Sequence, residues 1–255
     1  NESDLRRSNM NEIVNSVHFL KQQKWVDLSH SIYGGIPYFQ SFQPMQEKTL
    51  VTVKNDGFFA KEYQLVTQYG THIDAPVHFV EDRVAVDQLP IKDFLLPLIV
   101  INKEKEVAEN PDYSLTVEDI LTFEEEHGNI PAESFVAFAS GWSKRWEDLE
   151  AFYNVDQEGQ AHTPGWSLEA LKFLHEERQV TAIGHETLDT DSAVNCTRNG
   201  GLIGELYWLQ QDKFQVEVLN RLTELPPVGG AISIGVPKVK DAPGFNVRAI
   251  AIIPA

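Results

Sequence analysis

Cysteine is almost missing from this chain. A single one, Cys196, stands among 255 residues, so neither an internal disulfide framework nor a Cys-rich zinc finger can hold the fold, which must stand on its core. Positive charge is scarce as well: 21 Lys and Arg against 38 Asp and Glu leave a formal net charge of −17. That balance excludes a nucleic-acid partner, whose affinity rests on cations displacing phosphate counterions, and docking on an anionic membrane surface. Long apolar runs are lacking too. The longest, Phe94 to Ile101, contains Pro97 and falls well short of the roughly 20 residues that a bilayer span needs. No Gly-x-Ser-x-Gly elbow arms a serine nucleophile, and there is no internal repeat or low-complexity block. The polar stretch Asn1 to Lys24 has no apolar centre of the secretory kind, and the expectation is a cytoplasmic protein.

What is present is ordinary globular chemistry, 42% hydrophobic and 23% charged. Ile13, Val14, Val17, Phe19 and Leu20 recur at mostly helical spacing within Met10 to Gln23, which predicts a helical extension over residues 1–24, a lid or a subunit contact. The main domain is expected over 25–255. Short β-branched or aromatic runs at Leu50–Val53, Glu62–Val66, Leu95–Ile101, Phe135–Ala139, Val180–Ile183, Ala231–Val236 and Val247–Ile253 read as strands. Helical patterns occupy Val117–Glu126, Ser167–Glu177 and, with a break inside it, Gly201–Leu222. Strands interspersed with helices predict one α/β domain with a sizeable central mixed β-sheet and flanking helices.

The most informative stretch is Gln68-Tyr69-Gly70-Thr71-His72-Ile73-Asp74-Ala75-Pro76-Val77-His78. With Gly70 and Pro76 inside it, this is an irregular loop or strand end. In extended backbone, alternate side chains share a face, so His72, Asp74 and His78 can stand on the same side as Gln68. Imidazole nitrogen with carboxylate oxygen suits zinc, manganese or iron, and a carboxylate between two histidines can bridge a pair of ions. Taken as bare residues, the cluster fits polar side chains capping a turn equally well.

The segment resembles the His-x-Gly-Thr-His-x-Asp-x-Pro-x-His signature of the cyclase family of metal-dependent hydrolases, to which kynurenine formamidase and isatin hydrolase belong. Further stretches resemble the family in order: Asp27-Leu28-Ser29-His30, Ser140-Gly141-Trp142-Ser143, Ile183-Gly184-His185-Glu186-Thr187, Glu217 to Leu222 and Val247 to Ala251. The likeness covers about Trp25 to the C-terminus. It implies a swivelling β/β/α-type domain with a barrel-like core, and a homodimer or homotetramer. It also implies hydrolysis of an amide, cyclic amide or lactone bond of a small molecule by a metal-activated water. That is C–N chemistry outside peptide bonds, of the arylformamidase or cyclic-amidase kind. The alternative is a member of the fold that binds a metal or small ligand without turnover.

Two departures mark the implied site. Gln68 stands where the family has its first histidine, and Glu205 stands twelve residues before Glu217, where the family has another. The implied metal ligands are His72, Asp74, His78, Glu205 and Glu217, with Gln68 as an outer or weak ligand. Carboxylate in place of imidazole makes such a site harder and more anionic, which favours manganese and leaves zinc in play. By periodicity alone both glutamates fall in helical patterns. The resemblance gives His78 the role of general base and acid, with Glu217 beside it as hydrogen-bond partner. Trp25, Tyr38, Phe39 and Phe42 are candidates for an apolar substrate wall, and His185 for a support or substrate contact. His30 and His162 are further candidates for the pocket lining. Glu186 and Asp191 read as turn stabilisers, His18, His127 and His175 as surface residues, and Cys196 as an incidental thiol.

Overall fold

The computed structural model describes residues 2–255, with side chains from residue 11 onward. In chain order the elements are α1 (Glu2–Lys21), β1 (Lys24–Asp27), β2 (Gln46–Val51), α2 (Val53–Asp56), β3 (Ala60–Gln64), β4 (His72–Asp74) and β5 (Leu95–Asn102). Then come α3 (Glu104–Glu109), β6 (Ser114–Leu115), α4 (Val117–His127), β7 (Phe135–Ala139), α5 (Leu149–Tyr153), β8 (Gly165–Trp166) and α6 (Leu168–Glu176). Last are β9 (Ala182–His185), α7 (Ala193–Asn199), α8 (Ile203–Gln210), β10 (Phe214–Glu217), β11 (Gly230–Gly235), β12 (Gly244–Asn246) and β13 (Arg248–Ile253). Nine strands join one mixed sheet in the order β1-β13-β11-β5-β7-β9-β10-β4-β12. This is the single α/β domain that the sequence predicts.

The middle of the sheet, β5-β7-β9-β10, is parallel, and its connections carry helices because parallel neighbours need a crossover. Strand β7 shows why both faces bury. Phe135, Ala137 and Ala139 enter one apolar cluster, while Val136 and Phe138 enter another, as the two-residue period of a strand requires. The first cluster draws on β1, β13, β11, β5, β7, β10 and β4 together, so the sheet curls around it as a half-barrel. The second lies under α4 and α6, which contribute Ile120, Phe123, Ala170, Leu171 and Leu174. Both helices start at capped ends: the Thr116 hydroxyl accepts from the Asp119 N–H and the Ser167 hydroxyl from the Ala170 N–H.

Most strands fall within a few residues of the predicted runs. The segment Gly201–Leu222 does not continue as a helix. Helix α8 ends at Gln210, Asp212 turns the chain with φ 57°, and residues 214–217 form the parallel strand β10. Helix α1 leaves Ile13 and Phe19 exposed. Among the described residues, no helix is long and apolar enough to cross a membrane.

Candidate metal centre

The sheet changes from parallel to antiparallel between β10 and β4, and the chemistry gathers there. Glu217 at the carboxyl end of β10 faces His72 at the start of β4, and Gln215 faces Asp74. His185 ends β9, the parallel neighbour of β10. Ligands in open α/β sheets collect outside such carboxyl ends. Helix α8, on the crossover from β9 to β10, carries Glu205. It can approach because residue 204 is glycine, where a Cβ would stand 2.9 Å from Asp191 Oδ1.

The turn into β4 explains the Gly-Thr-His sequence. Gly70 has φ 69°, and a Cβ there would meet Ile32 at 2.6 Å, so only glycine fits. The Thr71 hydroxyl donates to the carbonyl of Val218 at 2.7 Å and accepts from the His30 N–H at 2.9 Å. His72 Nδ1 donates to the Gly70 carbonyl at 2.7 Å, which leaves the Nε2 lone pair for the cluster. Val218, directly after Glu217, has φ 61°. For a β-branched residue that is a strained backbone, of the kind that costs about 1–3 kcal/mol and gathers at functional sites.

His72 Nε2 lies 3.4 Å from Asp74 Oδ1 and 3.3 Å from Glu217 Oε1. Metal bonds of about 2.0–2.2 Å in a tetrahedral site set neighbouring ligand atoms about 3.3–3.6 Å apart, so the spacing fits one ion. His72 Nε2 and Asp74 Oδ1 are also buried polar atoms without a hydrogen-bond partner, an arrangement that costs stability unless something bonds to them. A second group, Asp74, His78 and Glu205, brings its ligand atoms within 4.8 Å of one another and shares Asp74 with the first. The donor set suits a divalent cation.

Electrostatics follow from this crowding. Burial pushes the Glu217 and Glu205 carboxyls well above their ordinary range, and the neighbouring carboxylates push them further. Burial also works against charge on Asp74 and His72. The two outweigh it for each other, so Asp74 is held low and His72 high. His78 is lowered by burial against the pull of Asp74, which keeps a cleft-facing imidazole neutral and able to accept a proton.

Two of the residues around the cluster, Gln215 and Trp166, were invisible to spacing arguments. The side-chain amide of Gln215 donates to Asp74 Oδ2 at 3.0 Å and to Glu205 Oε1 at 3.1 Å, and its oxygen accepts from the Thr190 hydroxyl at 2.7 Å. Each carboxylate thus has one oxygen tied to the frame. The Trp166 indole donates to His185 Nδ1 at 3.1 Å. An indole can only donate, so His185 carries its hydrogen on Nε2 and gives it to Glu217 Oε2 at 2.7 Å. Burial lowers His185 to about 3, which keeps it neutral in this relay. Asp191 accepts from the N–H groups of Gly204 and Glu205 at 2.7 and 3.0 Å and so anchors the start of α8. Glu186 points the other way from His185 and accepts from the Ser140, Gly141 and Ser143 N–H groups.

Several expectations need correction. Glu217 sits on a strand, not a helix, and its oxygens meet His72 and His185; His78 instead faces Asp74 at 3.9 Å and Gln68 at 3.4 Å. Gln68 stands beside the cluster rather than in it: its amide oxygen accepts from the Thr67 hydroxyl, and its nitrogen faces His78 Nδ1. Trp25 lies on β1, at the opposite side of the sheet order from β4, and its indole donates to the Leu20 carbonyl at 2.8 Å. His185 is buried with both nitrogens occupied, by Trp166 and Glu217, and does not line the cleft. His30 is buried and stacked on Trp146. His162 is held between Asp112 and Asp156 away from the cleft.

A cleft of about 150 Å3 opens over the cluster, bounded by Gln68, His72, His78, Glu205 and Glu217 on one side and by Phe39, Phe42, Phe79, Leu188 and Leu202 on the other. Of the four expected wall residues, Phe39 and Phe42 line it. Tyr38 lines an adjoining space.

A family model described as "Putative cyclase" matches residues 26–192. Isatin hydrolase of Roseibium aggregatum is 33% identical over 211 residues, covering 78% of this chain and 78% of that one. Among solved structures, isatin hydrolase A from Labrenzia aggregata bound to benzyl benzoate has a TM-score of 0.88 at 27% identity, covering 97% of this chain and 100% of that one. Isatin hydrolase A from Ralstonia solanacearum has a TM-score of 0.88 at 28% identity, covering 95% and 96%. With the motif in β4, the shared architecture and these matches, the chain belongs to the cyclase family.

Proposed function

We propose that the protein is a metal-dependent hydrolase that opens a cyclic amide, or cleaves a formyl amide, attached to a planar aromatic ring. One observation carries the reading: ligand atoms of His72, Asp74 and Glu217 converge at an apolar-walled cleft, and two of them, His72 Nε2 and Asp74 Oδ1, are buried without a hydrogen-bond partner. The relatives named for isatin hydrolysis support the amide, and another structural relative, an isatin hydrolase bound to the product analogue thioisatinate, is 25% identical. The oxygen-rich donor set favours manganese over zinc.

His72, Asp74 and Glu217 would hold the ion, with Glu205 next to them. A divalent cation there supplies Lewis acidity, polarising the substrate carbonyl and making water acidic enough to react near neutral pH. The chain's own residues do the rest. Phe39, Phe42 and Leu202 exclude water and lay a planar ring against the cluster. His78, neutral and open to the cleft, takes the proton as water adds to the carbonyl carbon, and returns it to the nitrogen as the C–N bond breaks. Gln215 and His185 keep the carboxylates from turning.

A homodimer or homotetramer belongs to the same reading. It is supported by exposed apolar side chains on α1, such as Ile13 and Phe19, and at the tip of the β2–β3 ribbon, where Phe58 and Phe59 are each 60% exposed. A cytoplasmic setting is supported by a core held without disulfides. The test is hydrolysis of isatin and formanilide by metal-stripped protein reloaded with manganese or zinc. The expected result is stoichiometric binding with activity restored, manganese exceeding zinc. Stoichiometric metal with no turnover of either compound would favour a binding protein on the same scaffold.

A further inference from the structure

Behind Leu188 and Asp189 a second chamber of about 220 Å3 opens, sharing those two residues and Phe39 with the metal cleft. Its lining includes Tyr38, Phe39, Trp142, Phe152 and Tyr153, and the polar tips of Trp142 and Tyr153 are already occupied. The Trp142 indole donates to the Phe152 carbonyl at 2.9 Å. The Tyr153 hydroxyl donates to the Tyr38 carbonyl at 2.7 Å and accepts from the Tyr38 N–H at 2.8 Å. What Trp142 and Tyr153, with the phenyl rings of Phe39 and Phe152, offer an occupant is therefore their apolar faces. Asp189 is the one acidic side chain on the wall, placed where the two spaces meet.

The chamber's walls are fixed by interactions outside the metal cluster. Glu186 is fully buried and gathers three N–H groups of the turn that presents Trp142. The outer wall is the loop between Val155 and Ala161, which pair as an isolated bridge, and His162 clamps that loop to Asp112. An apolar cavity of about 150 Å3 is enough to take benzene, so cleft and chamber each have room for a ring.

We propose that this chamber is a substrate subsite, which takes an aryl-sized apolar substituent of the amide substrate and meets a hydrogen-bond donor beside that substituent with Asp189. The proposal rests on the hydrolase reading of the metal cleft and narrows it to two-ring substrates. An anionic tail is excluded by the carboxylate at the junction.

The experiment compares isatin with its four ring-phenyl isomers on the manganese-loaded protein, recording both kcat/KM and the Kd of each compound for metal-free protein. Two substitutions fill the chamber from different walls: Ala193→Leu at the start of α7 and Val155→Trp on the loop, so that one remains informative if the other fails to fold. The expected result is at least one phenyl isomer roughly tenfold better than isatin in both measures, the order of gain that burying a ring provides. Either substitution should erase that gain and leave isatin within about twofold. Phenyl isomers no better than isatin, or an advantage that survives both substitutions, would overturn the subsite. A chamber-dependent advantage in Kd with no turnover of any compound would keep the subsite and remove the hydrolase reading.

Discussion

Two histidines in this protein sit between two carboxylates, with opposite outcomes. His162 lies near the surface, its Nδ1 2.9 Å from Asp112 and its Nε2 2.8 Å from Asp156. Every partner there is satisfied by another within the trio. His72 is buried between Asp74 and Glu217 at 3.4 and 3.3 Å, with its Nδ1 spent on backbone and its Nε2 unpartnered. The functional groups are the same, one imidazole and two carboxylates. What separates a surface clasp from a cation site is whether the ligand atoms are consumed by one another or held apart, facing one point. In the buried site Gln215 and His185 do the holding.

The largest contrast should come from deleting one carboxylate in each trio. Asp74→Ala should weaken manganese binding by well over the roughly 100-fold that marks loss of a supporting residue, as read by calorimetric titration, and abolish hydrolysis. Asp156→Ala should leave both within about twofold. Equal losses would erase the distinction. Next in size is Gln215→Leu, which frees Asp74 Oδ2 and Glu205 Oε1 to rotate. Manganese affinity should fall by about 10–100-fold, and an unchanged affinity would show that strand register alone orients the ligands. The smallest effect belongs to the surface clasp. Hydrogen bonds from its ring to Asp156 and Asp112 raise the pKa of His162 above its ordinary value. Its protonated form therefore favours the fold below about pH 6.5, and the benefit is lost as pH rises through the raised value. The melting temperature of wild type should exceed that of His162→Gln at pH 5.5, with the gap closing by pH 8.5. A gap that widened with pH would mean the imidazole is held neutral.

The sequence revealed strands where burial on both faces leaves continuous apolar runs, as in Phe135–Ala139, and it placed His72 and Asp74 together where extended backbone repeats on one face. It misread Phe214–Glu217 because a four-residue strand three residues after a helix is too short to declare its own period. Gln215 was illegible for a different reason. Gln215 reaches Asp74 across 141 positions of chain, and glutamine carries no signal that it will clamp a carboxylate. Trp25 and Phe39 looked alike as aromatics near the domain start, yet only sheet order decides that one ends on a far strand and the other at the cleft.

The left-handed backbone at Val218 has a consequence for how this protein would evolve under heat. The chain bends sharply there so that Glu217 can face His72 while the Val218 carbonyl meets Thr71, and the folded state carries that tension at all times. Asparagine tolerates the conformation far better than a β-branched residue. Yet Val218 is fully buried in the second apolar cluster, where an amide would have to find hydrogen-bond partners of its own, so selection for thermal endurance has no simple escape at this position and the aim of the neighbouring carboxylate is kept.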